Sequence, residues 1–256
     1  MIDTRAVISP HAQIAADVEI GAFSVIGPDV VIGAGTWIGP HVVINGPTRI
    51  GVGNKIFQFA SLGDAPQDKK YKGEPTRLEI GDRNVIRECA TVNRGTFQGE
   101  GVTRIGDDNL LMAYSHVAHD CRLGNQIVLS NVATLGGHVE IGDFAILGGL
   151  SAVHQFTKVG AYCFIANNAA VTRDVPPYVM AVGQPAEPHS VNAVGLKRRG
   201  FSDAQILNVR RAYRVLYRSG LKLKVALEQL EQAAESQAEI RPFVDFIRRS
   251  SRSIVR

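Results

Sequence analysis

This chain is expected to form an all-β parallel solenoid over most of its length, followed by a small α-helical C-terminal domain. Three observations carry that expectation. An aliphatic residue recurs at every sixth position through most of the chain. Two polar stretches interrupt this recurrence without ending it, and beyond Pro176-Pro177 helical patterns replace it.

The period is visible from the start. Read from Val7 in sixes, the second place holds Ile8, Ile14, Ile20, Ile26, Ile32, Ile38, Ile44, Ile50, Ile56 and Leu62. It resumes at Ile80, Ile86 and Val92. After a slip of one residue it runs through Ile105, Leu111, Val117, Leu123, Leu129, Leu135, Ile141, Leu147, Val153, Val159, Ile165 and Val171. One apolar residue in six cannot make a helix face, which needs apolar positions three and four apart. Six residues do suit a short strand plus a corner, with the aliphatic inward and Gly, Asn or Asp supplying the turn. Stacked strands of this kind make a parallel β-solenoid. With three sides per coil, eighteen residues close a turn, and successive coils lie about 4.8 Å apart.

The interruptions are DAPQDKKYKGEPTR (64–77) and the segment around TFQGEGVTR (96–104), both polar and without inward aliphatics on schedule. Long excursions from a regular scaffold are more often functional than not. Near the end, FSDAQILNVRRAYRVLYRSG places Ser202 three before Gln205, a capping-box pattern, and stops at Gly220. KVALEQLEQAAE and PFVDFIRRS are further amphipathic segments. The solenoid is therefore assigned to 1–189 and the helical domain to 190–256.

Composition bounds the function. Of the net charge of +4, residues 1–196 carry 14 Lys+Arg against 18 Asp+Glu, whereas residues 197–256 carry 14 against 6. A basic end favours an acidic partner: nucleic acid, an anionic membrane surface or an acidic carrier protein. Cys89, Cys121 and Cys163 are odd in number and lack C-x-x-C spacing, which argues against a disulfide framework or zinc ribbon. MIDTRAVISPHA has no apolar signal region, and no run of eighteen apolar residues exists for a membrane-spanning helix. A reduced, cytoplasmic location is expected.

YSHVAHDC (114–121) sets His116 and His119 three apart, with Asp120 following. In an eighteen-residue coil, His138 stacks above Asp120, Gly137 above His119, and Gln155 above Gly137. His154 falls two coils above Ala118. His116, His119, His138 and His154 thus gather on one edge within roughly 10 Å. Three readings compete. The histidines cap turns; or three imidazoles hold zinc; or His119 is a general base tuned by Asp120 or His116. The third is preferred, with no metal expected. Because neighbours on a strand face opposite ways, pairing Asp120 with His119 requires a corner.

The six-residue register resembles that of the hexapeptide-repeat family, whose members form left-handed parallel β-helices. QFASLGDAPQDKKYKGEPTRLEIGDRNVIRE, AHDC, GGHVEIGDFAI, AVHQF, DVPPYV and GLKRRGFS sharpen this. Over nearly the whole chain the sequence resembles the UDP-N-acetylglucosamine 3-O-acyltransferases, which begin lipid A synthesis in the cytoplasm. The resemblance implies a homotrimer with sites between subunits and an acyl carrier protein as donor. The donor's 4′-phosphopantetheine arrives with the carrier, so no separate cofactor is implied, and neither nucleic acid nor stable membrane insertion.

By the same resemblance His119 removes the proton of the sugar 3-hydroxyl, which attacks a (R)-3-hydroxyacyl thioester, and the Gly137 N–H stabilises the oxyanion. His116, Arg198 and Arg199 are implied near the pyrophosphate, and Asn192 at the uridine. Gln67, Asp68, Lys70, His138, His154 and Gln155 are implied around the sugar and acyl hydroxyl. Asn167 stands at the position that limits acyl length, and an amide there implies a chain shorter than the longest the family takes. Two positions depart from the family. TVNRGT puts Asn93 where a His is usual, which raises a 3-amino sugar as acceptor, and Val194 replaces a common Glu. Two readings from other classes remain. A zinc enzyme like the γ-carbonic anhydrases would share the fold, but its close pair reads H-(x4)-H where this chain has H-x-x-H. A non-catalytic scaffold would not need four histidines beside a polar loop.

Overall fold

The computed structural model describes all 256 residues and holds three sheets. Consecutive strands pass to the three sheets in rotation, so each coil adds one strand to each face of a three-sided solenoid. Face I starts at Val7–Ile8 and has nine strands; face II starts at Gln13–Ile14 and has eight. Face III starts at Glu19–Ile20 and has ten. Register gives the coil length directly: Val7 pairs with Val25, Gln13 with Val31 and Glu19 with Trp37, all parallel. Most strands are two residues long, the first turned outward and the second inward. Of the inward aliphatics from Ile8 to Val171, all but Ile8 and Ile14 are buried. Each contributes roughly 1.5–3 kcal/mol by leaving water. Two places before many of them a second small residue also faces in, Cys121 before Leu123 and Cys163 before Ile165 among them. Burial pushes both thiols up to about 12, so they are packing groups.

The excursions lengthen two coils. Leu62 pairs with Val92, thirty residues on, and Val92 with Val117, twenty-five on. One runs from strand Ser61–Asp64 to Arg77–Ile80, the other from Thr91–Asn93 to Val102–Ile105. Both leave face I and re-enter on face II. They therefore project from the same edge, here called I/II.

The corners differ from the expected chemistry. Most have one residue at positive φ; Asp29, Gly35, Gly53, Asp108, Asp120 and Asn168 take it as expected, but so do Phe23, His41, Phe59, Tyr114, Phe144, Phe156 and Tyr162. Such residues enter the left-handed region at a cost. Stacking offsets it, because equivalent corners lie one coil apart. Phe23, His41 and Phe59 stack at 5.1 and 5.4 Å, and Phe144 lies 4.7 Å from Tyr162.

Four helices close the chain: α1 Ala193–Arg198, α2 Asp203–Arg218, α3 Leu223–Ser236 and α4 Arg241–Arg249. Ser202 and Gln205 form the capping box at the start of α2. The division drawn at 189/190 falls inside strand Glu187–Val191, which pairs with Val179–Val182. Leu196, Val209, Leu216, Leu230 and Phe243 join the same apolar cluster as the solenoid interior, because the helices bury their apolar stripes against it. No helix is long and apolar enough to cross a membrane.

Candidate active site

His119 and Asp120 occupy the I/II corner between strands His116–Val117 and Arg122–Leu123. Gly137 and His138 occupy the same corner one coil on, Gln155 and Phe156 the next. Coil stacking brings the rings together: His119 meets His138 edge-on at 5.1 Å, and His138 stacks on Phe156 at 4.4 Å. Residues distant in the chain thus share one ridge.

The corner also solves the orientation of Asp120. Its φ of 58° turns the carboxylate back towards its own neighbour, and Oδ2 lies 2.8 Å from His119 Nδ1. The Asp120 side chain is 3% exposed. It accepts from the Thr96 hydroxyl at 2.6 Å and from the Thr96 N–H at 3.0 and 3.1 Å. Burial pushes the carboxyl up, but the bonds from His119 and Thr96 outweigh this and hold it below the usual range. An ionised carboxylate only accepts, so Nδ1 carries the hydrogen and Nε2 keeps a free lone pair. The imidazole packs on the Gly137 backbone so closely that a Cβ there would sit 2.5 Å from Cε1. The Gly137 N–H has no backbone acceptor. An imidazole lone pair and a free N–H donor stand side by side.

His138 Nε2 lies 3.6 Å from Asp120 Oδ2. Burial draws its imidazole below the usual value; Asp120 and Asp68 pull it up, and His119 pushes it down. Asp68, in the first excursion, thereby acts on this edge. It accepts from the N–H of Lys70, which is exposed, as is Gln67. His116 sits on the flat of face I, not on the edge, because it begins a strand. Its Nδ1 is 2.7 Å from Thr91 Oγ1, and burial, then His119, lowers it. His154 is exposed, with Nδ1 3.0 Å from the Gln155 carbonyl.

Four expected residues lie elsewhere in the chain. Asn167 is on the III/I edge, where it accepts from the Gly149 N–H. Asn192 caps α1 through Gly195 and donates to the Tyr162 carbonyl at 3.0 Å. Arg199 donates to Gln126 at 2.7 Å and lies 4.8 Å over Phe144. Tyr162, Gln126 and Phe144 are corners of the II/III edge, so Asn192, Arg198 and Arg199 stand a full face away from His119. Val194, also in α1, is 65% exposed.

Sequence reasoning missed Thr96 and Thr103, whose Oγ1 accepts from the Asp120 N–H at 2.8 Å. Thr96 lies in an irregular loop, which gives no period by which to place it; Thr103 stands in strand Val102–Ile105, and only the fold shows what it touches. Asn93, marked only as a departure, is 5% exposed; Nδ2 donates to the Ala65 carbonyl at 3.0 Å, and buried Oδ1 has no partner. His119, Asp120 and His138 offer ligand atoms within 4.8 Å of one another. Asp120 Oδ2 is already engaged by His119 and Thr96, so a cation there would have to displace those bonds. The arrangement suits proton transfer better than metal ligation.

The model of a family described as "Udp N-acetylglucosamine O-acyltransferase; Domain 2" matches residues 174–255. The acyl-[acyl-carrier-protein]--UDP-N-acetylglucosamine O-acyltransferase of Halorhodospira halophila is 55% identical over 255 residues, spanning 100% of this chain and 99% of the relative. Among solved structures, the UDP-N-acetylglucosamine acyltransferase of Francisella novicida matches with a TM-score of 0.98 at 46% identity, over 100% of this chain and 94% of that one. The Arabidopsis UDP-N-acetylglucosamine acyltransferase matches at 0.87 and 32%, over 100% and 99%.

Proposed function

This chain belongs to the acyl-[acyl-carrier-protein]--UDP-N-acetylglucosamine O-acyltransferase family, and from that premise we propose its chemistry. It transfers a (R)-3-hydroxyacyl chain from acyl carrier protein to position 3 of UDP-N-acetylglucosamine, the first step of lipid A biosynthesis. His119 is the general base. One observation carries the assignment: His119 is held by Asp120 at Nδ1, with Nε2 free beside the Gly137 backbone. Nε2 takes the proton of the acceptor hydroxyl as its oxygen attacks the thioester carbonyl. The Gly137 N–H donates to the developing oxyanion. Collapse breaks the C–S bond, and the departing phosphopantetheine thiolate recovers the proton from His119. The phosphopantetheine belongs to the carrier, and the chain itself supplies no cofactor.

The active unit is a homotrimer of left-handed β-helices. The III/I edge supports this: Phe59, Tyr114 and Leu150 are 59, 63 and 63% exposed along it, an apolar strip of the kind that marks an interface. If three such edges converge, face III of one copy lies on face I of the next. The II/III edge of one copy then meets the I/II edge of its neighbour. Asn192, Arg198 and Arg199 would thereby reach the nucleotide held beside His116 in the adjacent copy. Gln67, Asp68, Lys70, His138, His154 and Gln155 surround the sugar and acyl hydroxyl, and the acyl chain ends at Asn167. Arg210, Arg214 and Arg218 line a cavity of about 440 Å³ with His189 and Tyr213, a basic seat for the acidic carrier. Such a protein works in the cytoplasm.

Asn93 favours a second acceptor. Its amide is oriented by Ala65, which leaves a buried carbonyl oxygen in need of a donor. A 3-amino sugar nucleotide offers N–H groups there and would receive the chain as an amide. Comparing both sugar nucleotides, with a series of 3-hydroxyacyl carrier proteins as donors, tests both readings. Transfer to the hydroxyl form alone would end the amine reading; transfer to neither would end the assignment.

A further inference from the structure

We propose that Thr96 is a positioning residue for the transfer, holding the Asp120 carboxylate against His119. The proposal rests on His119 being the base. Thr96 lies in the second excursion, between strands Thr91–Asn93 and Val102–Ile105, and is 3% exposed. Its hydroxyl donates to Asp120 Oδ2 at 2.6 Å, the same oxygen that receives His119 Nδ1. Its N–H spans both carboxylate oxygens. From strand Val102–Ile105, where the chain re-enters face II, Thr103 Oγ1 accepts the Asp120 N–H. The excursion and the strand after it therefore grip the one residue that orients the base.

The donors are themselves anchored. The Thr96 carbonyl accepts the N–H groups of Gly99 and Gly101 at 3.1 and 3.0 Å, closing a tight turn. That turn presses on the carboxylate, for a Cβ at Gly99 would overlap Asp120 Oδ1. Asp120 also borders a cavity of about 180 Å³, so a carboxylate released by Thr96 has room to turn away from His119. His119 would then lose its orientation without losing its place in the coil.

Replacing the hydroxyl by a methyl keeps the shape and removes the bond. Thr96→Val is expected to lower kcat about tenfold, the scale of a small misplacement of a catalytic group, with KM for UDP-N-acetylglucosamine within about twofold. Thr96→Ser is expected to restore most of the rate. Gly99→Ala, which crowds the carboxylate and spares the hydroxyl, should lower kcat similarly, and melting curves establish that each variant is folded. On an Asp120→Asn background, Thr96→Val should cost nothing further, because both act through one carboxylate. Unchanged kcat in folded Thr96→Val, no rescue by serine, or a full additional loss in the double variant overturns the proposal. Unchanged kcat in Asp120→Asn would instead overturn the reading of His119 and Asp120 as a working pair.

Discussion

The I/II and III/I edges of the solenoid share one backbone and carry opposite chemistry. Most corners on both turn through a residue at positive φ. On III/I that place holds Phe23, His41, Phe59, Cys89, Tyr114, Val132, Leu150 and Asn168, of which Phe23, His41 and Phe59 are exposed and stack on one another. On I/II it holds Asp29, Asp120, His138 and Phe156, with His119 and Gly137 beside them and two excursions rising from the same line. The hexad decides only that a corner exists. Whether it carries an apolar strip or a polar cluster depends on the side chain placed there, and on whether the chain departs from the register to cover it.

Four measurements would break or sharpen this contrast. The largest effect belongs to the chemical edge: His119→Ala should lower kcat by about 10²–10⁴-fold, the range for loss of a general base, with an unchanged melting temperature. A smaller loss would move the base elsewhere. Next is the apolar edge. Leu150→Glu should leave the β-sheet spectrum intact, make the protein sediment as a single chain, and abolish most activity, because the II/III arginines no longer meet a neighbour's I/II edge. An active monomer would sink the division of the site between copies.

A moderate effect concerns pH. His116 and His138 sit below their ordinary value of 6.5 in the folded chain, chiefly through burial. The unfolded chain therefore binds protons there first as pH falls. The stability their neutral forms contribute is complete above the unfolded value and is lost as pH drops below it. Melting temperature should decline from about pH 7 to about pH 5, and less steeply in His138→Gln. The smallest effect lies on face II, where Arg104 pairs with Glu79 and Glu100 at 3.1 and 2.9 Å but is 40% exposed. Arg104→Ala should cost below about 1 kcal/mol, as exposed pairs do, and leave kcat unaltered. A larger cost, read by denaturant titration, would mean that this charged face is covered by something.

Much of the fold was legible because it is periodic. Ile8 through Val171 announced the coil, and counting in eighteens set His138 one coil above Asp120. The same arithmetic misplaced His116, which a strand carries onto the flat face. It gave no warning that aromatic residues would take the positive-φ corners, since their stacking partners lie a coil away in sequence.

The candidate site was legible only where it follows that count. His119, Gly137 and His138 stand in register, and their meeting is a property of the repeat. The pairing of Asp120 with His119 follows from the corner that the count implied, but Thr96 lies in an excursion of irregular length. There the backbone path depends on contacts between distant residues, and no spacing encodes it. Asn167, Asn192, Arg198 and Arg199 show the remaining limit. One chain places them on other edges, a full face from His119, because a prism turns each of its edges in a different direction.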